Sequence, residues 1–143
     1  MKGENTMNIK LVPYISFQGN CEEALGFYKA IFNGKVTIEQ RYDVPEMQAP
    51  VNYRDKVLHA SLQFDENMIL ACDTFPGRET KKTGGDVSLS VLIEDREEGR
   101  RIFNDLAEEG KVHHAYEKQF WGDWHGNLTD KYGIRWMVNC QSE

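Results

Sequence analysis

A capped amphipathic helix followed by three stretches of alternating polarity occurs twice in this chain, and no other feature constrains its fold as much. Asn20 stands as an N-cap before Ala24, Phe27, Tyr28, Ile31 and Phe32, which recur at helical spacing. Glu23 holds the capping-box position and Gly34 suits the left-handed residue that closes a helix. Asp95 stands in the same relation to Ile102, Phe103, Leu106 and Ala107, with Glu98 and Gly110 as the matching marks. The two caps lie 75 residues apart. Ile9 to Phe17 and Asp86 to Ile93 alternate ahead of the helices. Val36 to Tyr42, Val57 to Phe64 and Met68 to Asp73 follow the first helix; Lys111 to Lys118, Trp121 to Thr129 and Ile134 to Cys140 follow the second. Residue identity between the halves is low, so the repeat is one of pattern.

Each half alone would leave one face of a short sheet unburied. Two βαβββ halves can curl into a cup-shaped mixed sheet with helices outside, an α+β fold. Leu58, Leu62, Leu89 and Val91 suit the face under the helices. Tyr14, Ser16, His59, Ser61, Gln63, Ser88 and Ser90 fall on the opposite face, too polar for a dry core and too regular for plain surface. A semi-polar concave cavity is the physical compromise. Pro13 cannot donate to a ladder and predicts an edge strand. Asp43 to Asp55, with two prolines and no period, reads as a loop of the length used for lids.

Phe120 to Asn139 holds all three tryptophans and reads as a hairpin turning at Asp130-Lys131-Tyr132-Gly133. Large aromatics usually fill core. Their clustering with Asp123 and His125 points instead to a lined pocket built from Trp121, Asp123, Trp124, His125 and Met137. Gly122 and Gly126 admit a bulge that would change the facing.

Length fits one domain, residues 7–143, with half-repeats at about 8–75 and 85–141. Residues 1–6 are polar and precede a second Met; they read as a disordered or non-native extension. A net charge of −6 and the lack of a basic stripe argue against nucleic acid. No apolar run is long enough to cross a bilayer and no secretory signal is seen. Three cysteines without metal-site spacing point to a reduced, cytoplasmic setting. Cys21 has no base beside it, and Glu22 and Glu23 oppose a lowered thiol pKa. His113 and His114 read as exposed.

The doubled pattern, with PYISFQGNCEEALGFYKAIFNG at Pro13 to Gly34, LHASLQF at Leu58 to Phe64 and QFWGDWHGNLTDKYGIRWMVN at Gln119 to Asn139, resembles the vicinal oxygen chelate superfamily. That is the glyoxalase, bleomycin-resistance and dioxygenase fold, and the likeness is closer to its PhnB-like branch. Members of this branch often carry the name 3-demethylubiquinone-9 3-methyltransferase. The chain shows no Gly-rich strand-to-helix turn with a following acidic residue, the site a nucleotide-like cofactor uses, so the sequence does not support that activity.

The resemblance implies a metal held by His and Glu at four inward positions, which fall near Val12, Leu70, Asp86 and Met137. Only Asp86 could ligate a hard cation, and a shift by one residue supplies no better set. No metal site is therefore expected on that pattern. His59, Asp123 and His125 remain an unorthodox alternative for a divalent ion.

The expected function is binding of a small aromatic or partly apolar molecule in the cup, lined by Tyr14, Ser16, His59, Ser61, Gln63, Trp121, Asp123, Trp124, His125 and Met137. Two alternatives stay open. One is an enzyme using His59 as general base or metal ligand. The other is a bleomycin-resistance-like sequestering dimer. A homodimer is expected, because the superfamily usually pairs domains and an open cup leaves sheet edges.

Overall fold

A computed structural model describes residues 8–81 and 86–141. The expectation for residues 1–6 lies outside them. The first half comprises β1 (Tyr14–Phe17), α1 (Cys21–Phe32), β2 (Lys35–Arg41), β3 (Val57–Phe64) and β4 (Asn67–Asp73). The second comprises β5 (Leu89–Ile93), α2 (Arg96–Ala107), β6 (Lys111–Lys118), β7 (Trp124–Thr129) and β8 (Arg135–Cys140). The fold is the doubled βαβββ unit. Both halves form a four-stranded mixed sheet of the same order, β1-β4-β3-β2 and β5-β8-β7-β6, with the first and last strands of each half parallel. β1 and β5 are edges and share no ladder, so the cup is two sheets meeting at a seam. β1 and β5 are both shorter than the alternation predicts; Pro13 stands just before the first ladder residue, where its missing N–H costs no pairing.

One continuous apolar cluster lies between the sheets and the helices. Ala24, Leu25, Tyr28 and Ile31 of α1 join Ala60, Leu62, Ile69 and Ala71; Ile102, Phe103 and Leu106 of α2 join Leu128, Trp136 and Val138. The halves are fastened through Asp130. Its side chain is 3% exposed and accepts from the backbone N–H of Tyr132 and Ile134, from Trp136 Nε1 at 2.9 Å, and from the Tyr28 hydroxyl of the other half. Burial, and next the Asp130 charge, push the Tyr28 phenol well above its ordinary range, so it stays a donor. Asp130 does start the expected turn, with Gly133 at φ 90°, but its larger task is invisible in the local sequence.

The N-terminal caps differ from the reading in one half and the C-terminal ends in both, since the left-handed residue after α2 is Glu109, at φ 59°, not Gly110. Asp95 accepts from the backbone N–H of Glu97 and Glu98, as expected. Asn20 makes no cap bond. Its place is taken by Asp73 at the end of β4, whose Oδ1 accepts from Gly19 N–H at 2.8 Å and Cys21 N–H at 2.9 Å, while Oδ2 accepts from Val57 N–H. A carboxylate supplied by the neighbouring strand serves α1 better than a side-chain amide, because charge strengthens the bonds and complements the helix dipole. The left-handed residue after α1 is Asn33, not Gly34. Gly34 is required for another reason: a Cβ there would lie 2.8 Å from Leu62 Cδ1 and 2.9 Å from the Gln63 carbonyl oxygen.

Candidate functional site

Pairing across the ladders fixes which side chains share the inner face. Tyr14 lies opposite Leu70, and Leu70 opposite Ser61; Ser16 lies opposite Cys72. On the second sheet Ser90 lies opposite Met137, Met137 opposite Asn127, and His125 opposite Asn139. The inner face is thus lined as the alternation predicts, except at the start of β3. The β3–β4 ladder ends at Ala60–Ala71, and ahead of it Val57 enters the core while Leu58, expected under a helix, faces a cavity.

That cavity, about 870 Å³, opens over the seam between the two sheets. Pro13 to Ser16 and Cys72 to Phe75 form one wall, Val87 to Leu89 and Gly133 to Arg135 the other, and Tyr42 and Met47 close one end. The Asp43 to Asp55 loop is ordered into two single helical turns, Pro45–Met47 and Val51–Tyr53. Its Met47 contributes to the wall. The loop is held down by Tyr53, whose hydroxyl donates to the Thr74 carbonyl, and Tyr42 is fixed by a bond to the Asp73 carbonyl. Tyr42 packs on Tyr53 and Phe75 at 5.3 and 6.0 Å between ring centres. Tyr14 stacks on His59 at 5.9 Å, with its hydroxyl 3.3 Å from His59 Nδ1. Burial, with Cys72 beside it, pushes the Tyr14 phenol up to about 12. It is therefore a neutral donor at physiological pH.

The predicted site residues separate into groups. Tyr14 and Ser16 line the cavity; His59 touches Tyr14, and Ser61 lies beside Leu70 on the same face. Gln63 lies further along that face and is exposed. His125 and Met137 occupy the inner face of the second sheet, outside the cavity lining. His125 is tied into a polar chain. Its Nδ1 lies 2.6 Å from Asn139 Oδ1, its Nε2 3.1 Å from Asn127 Nδ2, and Asn139 Nδ2 donates to Ser90 Oγ. With the proton on Nδ1, both contacts are satisfied hydrogen bonds.

Three residues fall elsewhere. Trp124 points away from the inner face, against Tyr116 and beneath Arg96 and Arg100 of α2, whose guanidinium carbons lie 5.0 and 5.4 Å from its ring centre. If His125 and Asn127 face inward, strand alternation sends Trp124 outward. Trp121 and Asp123 precede the strand, which starts at Trp124. They sit in a turn closed by Gln119 N–H to the Asp123 carbonyl, with Gly122 at φ 105°. Trp121 is exposed there, edge-on to Phe120. Gly122 makes a turn rather than a bulge. Gly126 admits close packing: a Cβ there would lie 2.6 Å from Phe103 Cε1.

Sequence reasoning missed Tyr42, Cys72, Phe75, Arg78 and Arg135 as cavity residues. Cys72 was recoverable, since it alternates with Leu70 on the inner face. Arg135 was recoverable in the same way, from its alternation with Met137, whereas Tyr42, Phe75 and Arg78 come from loops, where no periodicity operates.

The inner positions do not suit a divalent cation held by imidazole and carboxylate. Leu70 and Met137 offer an alkyl group and a thioether, and among the described residues no three His, Cys, Asp or Glu side chains gather. His59, Asp123 and His125 are not brought together: His59 lies on the first sheet, Asp123 in the outer turn, and both His125 nitrogens are engaged.

Comparison with known proteins places these features among relatives. The sequence profile of the 3-demethylubiquinone-9 3-methyltransferase family matches residues 9–139. Protein PA1353 from Pseudomonas aeruginosa is 32% identical, covers 95% of this chain and 100% of its own, and superposes with a TM-score of 0.83. A Bacillus cereus protein described as a putative 3-demethylubiquinone-9 3-methyltransferase, PhnB protein, is 26% identical, with coverage of 92% and 99% and a TM-score of 0.79. A glyoxylase/bleomycin resistance protein/dioxygenase domain from Frankia shares the fold at 12% identity, with coverage of 95% and 99% and a TM-score of 0.66.

Proposed function

Because the chain belongs to the 3-demethylubiquinone-9 3-methyltransferase family, of the PhnB-like type within the vicinal oxygen chelate superfamily, we propose that it binds a small aromatic or partly apolar molecule in the seam cavity. The observation that carries this reading is the cavity itself, about 870 Å³ and bounded by Tyr14, Tyr42, Phe75, Met47 and Leu58. That is the size of a small-molecule site, with aromatic and aliphatic side chains beside polar and charged ones such as Ser16, Arg78 and Arg135. The methyl transfer in the family's description is not carried over. A nucleotide-like cofactor uses the N-terminus of a helix after a Gly-rich turn. Here the first amides of α1 are taken by Asp73 and those of α2 by Asp95.

Two experiments test the proposal. Native mass spectrometry of freshly purified protein should show bound small-molecule mass, which denaturation releases. A naphthyl alcohol probe should shift the amide resonances of Tyr14, Tyr42 and Phe75, and Ser16→Phe, which puts a ring into the cavity beside Tyr14, should weaken the binding while the melting curve is kept. Shifts confined to Trp121 and its turn would sink the reading.

The contact of Tyr14 with His59 favours one second reading, in which His59 acts as a base through the Tyr14 hydroxyl. Conversion of the released molecule by wild type but not by His59→Gln would establish an enzyme. Binding without conversion would support sequestration.

A further inference from the structure

The polar part of the cavity wall is lopsided in charge. Arg78 and Lys81 reach it from the loop after β4, and Arg135 from the start of β8. Two carboxylates stand against them. Asp73 is 1% exposed and already accepts from three backbone N–H groups, which leaves Glu79 as the one available to a guest. Three cations against two carboxylates leave a net positive charge at this opening, in a chain of net charge −6. Arg78 is also placed. Its N–H donates to the Phe75 carbonyl at 3.0 Å, and its own carbonyl accepts from Thr74 Oγ1 at 2.8 Å. Arg135 starts β8 and shares the inner face with Met137 and Asn139.

Resting on the cavity reading above, we infer that the guest carries an anionic group, a carboxylate or a phosphoryl group, gripped by Arg78 and Arg135 while its apolar body lies against Tyr14, Tyr42 and Phe75. A planar guanidinium pairs two parallel N–H donors with either oxyanion, which an ammonium cannot do. The Tyr14 phenol, which lines the same cavity, adds a neutral donor. A neutral aromatic of the same size offers the guanidinium donors no charge to pair with and would bind more weakly.

The experiment compares three probes with one shared ring system: a naphthoate, a naphthyl phosphate and the neutral naphthyl alcohol. Each is titrated into the full chain and followed by amide NMR shifts at the cavity. The expected result is at least one anion binding about tenfold or more tightly than the alcohol. That preference should shrink to about twofold in Arg78→Gln and in Arg135→Gln, and fall with added salt while alcohol binding does not. The tighter of the two anions identifies the group. Arg78 is exposed, so its substitution leaves folding intact and keeps the test valid if Arg135→Gln unfolds. Equal binding of all three probes, or an anion preference unchanged in Arg78→Gln, would overturn the anion inference and leave the cavity reading standing. No shift at the cavity with any probe would overturn both.

Discussion

At the scale of single residues, polar groups in this protein carry duties that the local sequence does not advertise. All six tyrosines have their phenols pushed above the ordinary value of 10.0, with burial the largest cause each time. Tyr14, Tyr53 and Tyr116 reach about 12. The sign follows from linkage. The folded state holds the phenolic protons more tightly than the unfolded chain, so their contribution to stability is fully present below pH 10 and is lost as pH rises toward 12. The ultraviolet absorbance of phenolate should therefore stay low at pH 10 in the folded protein. It should rise together with loss of near-ultraviolet circular dichroism above that pH, whereas in urea it should show an ordinary midpoint near 10. A folded protein whose tyrosines ionise at pH 10 would contradict these upward shifts.

Among the elements, α1 shows how a helix end can be set from elsewhere in the chain. The sequence offers Asn20 as cap, and it does match the position. Asp73 wins because β4 runs parallel to β1 and ends beside the start of α1, where a carboxylate meets two N–H groups at 2.8 and 2.9 Å and a third from Val57. Asp73→Ala should cost about 3 kcal/mol or more in urea unfolding, since it strands buried donors. Asn20→Ala should cost less than about 0.5 kcal/mol, because no cap bond is lost. Similar costs for the two would refute the assignment. The start of α2 is capped by Asp95 as its sequence says, and the difference is one of register: Cys140 ends β8 where Asp73 ends β4, and a thiol cannot substitute for a carboxylate at a helix start. The hairpin carrying the three tryptophans is the element where local reading did least well. Its turn and its last strand stand as expected, but starting β7 at Trp124 rather than Trp121 moves one tryptophan to a turn and one beneath α2.

At the scale of the whole molecule, β1 and β5 are sheet edges at the seam that pair with no further strand among the described residues. β5 has no Pro, Lys or bulge to discourage pairing, and Leu92 and Val87 are 80% and 78% exposed beside it. Apolar edges of this kind are normally covered. A homodimer is accordingly proposed, and light scattering at micromolar concentration should give twice the chain mass, with Leu92→Lys shifting it toward the monomer. A monomer across that range would refute the pairing. No helix among the described residues is long and apolar enough to cross a membrane.

The sequence alone determined the doubled unit, the eight strands and two α-helices, and the inner face of most strands. These follow from periods of 2 and 3.6 residues and from capping chemistry, which act between near neighbours along the chain. Tertiary structure alone decided that the sheets meet at an unpaired seam, that Asp73 and Asp130 bind groups from distant segments, and that Tyr42, Phe75, Arg78 and Arg135 share one cavity. Those contacts join residues far apart in sequence. Their partners are set by how the two halves pack, a relation that no local pattern encodes.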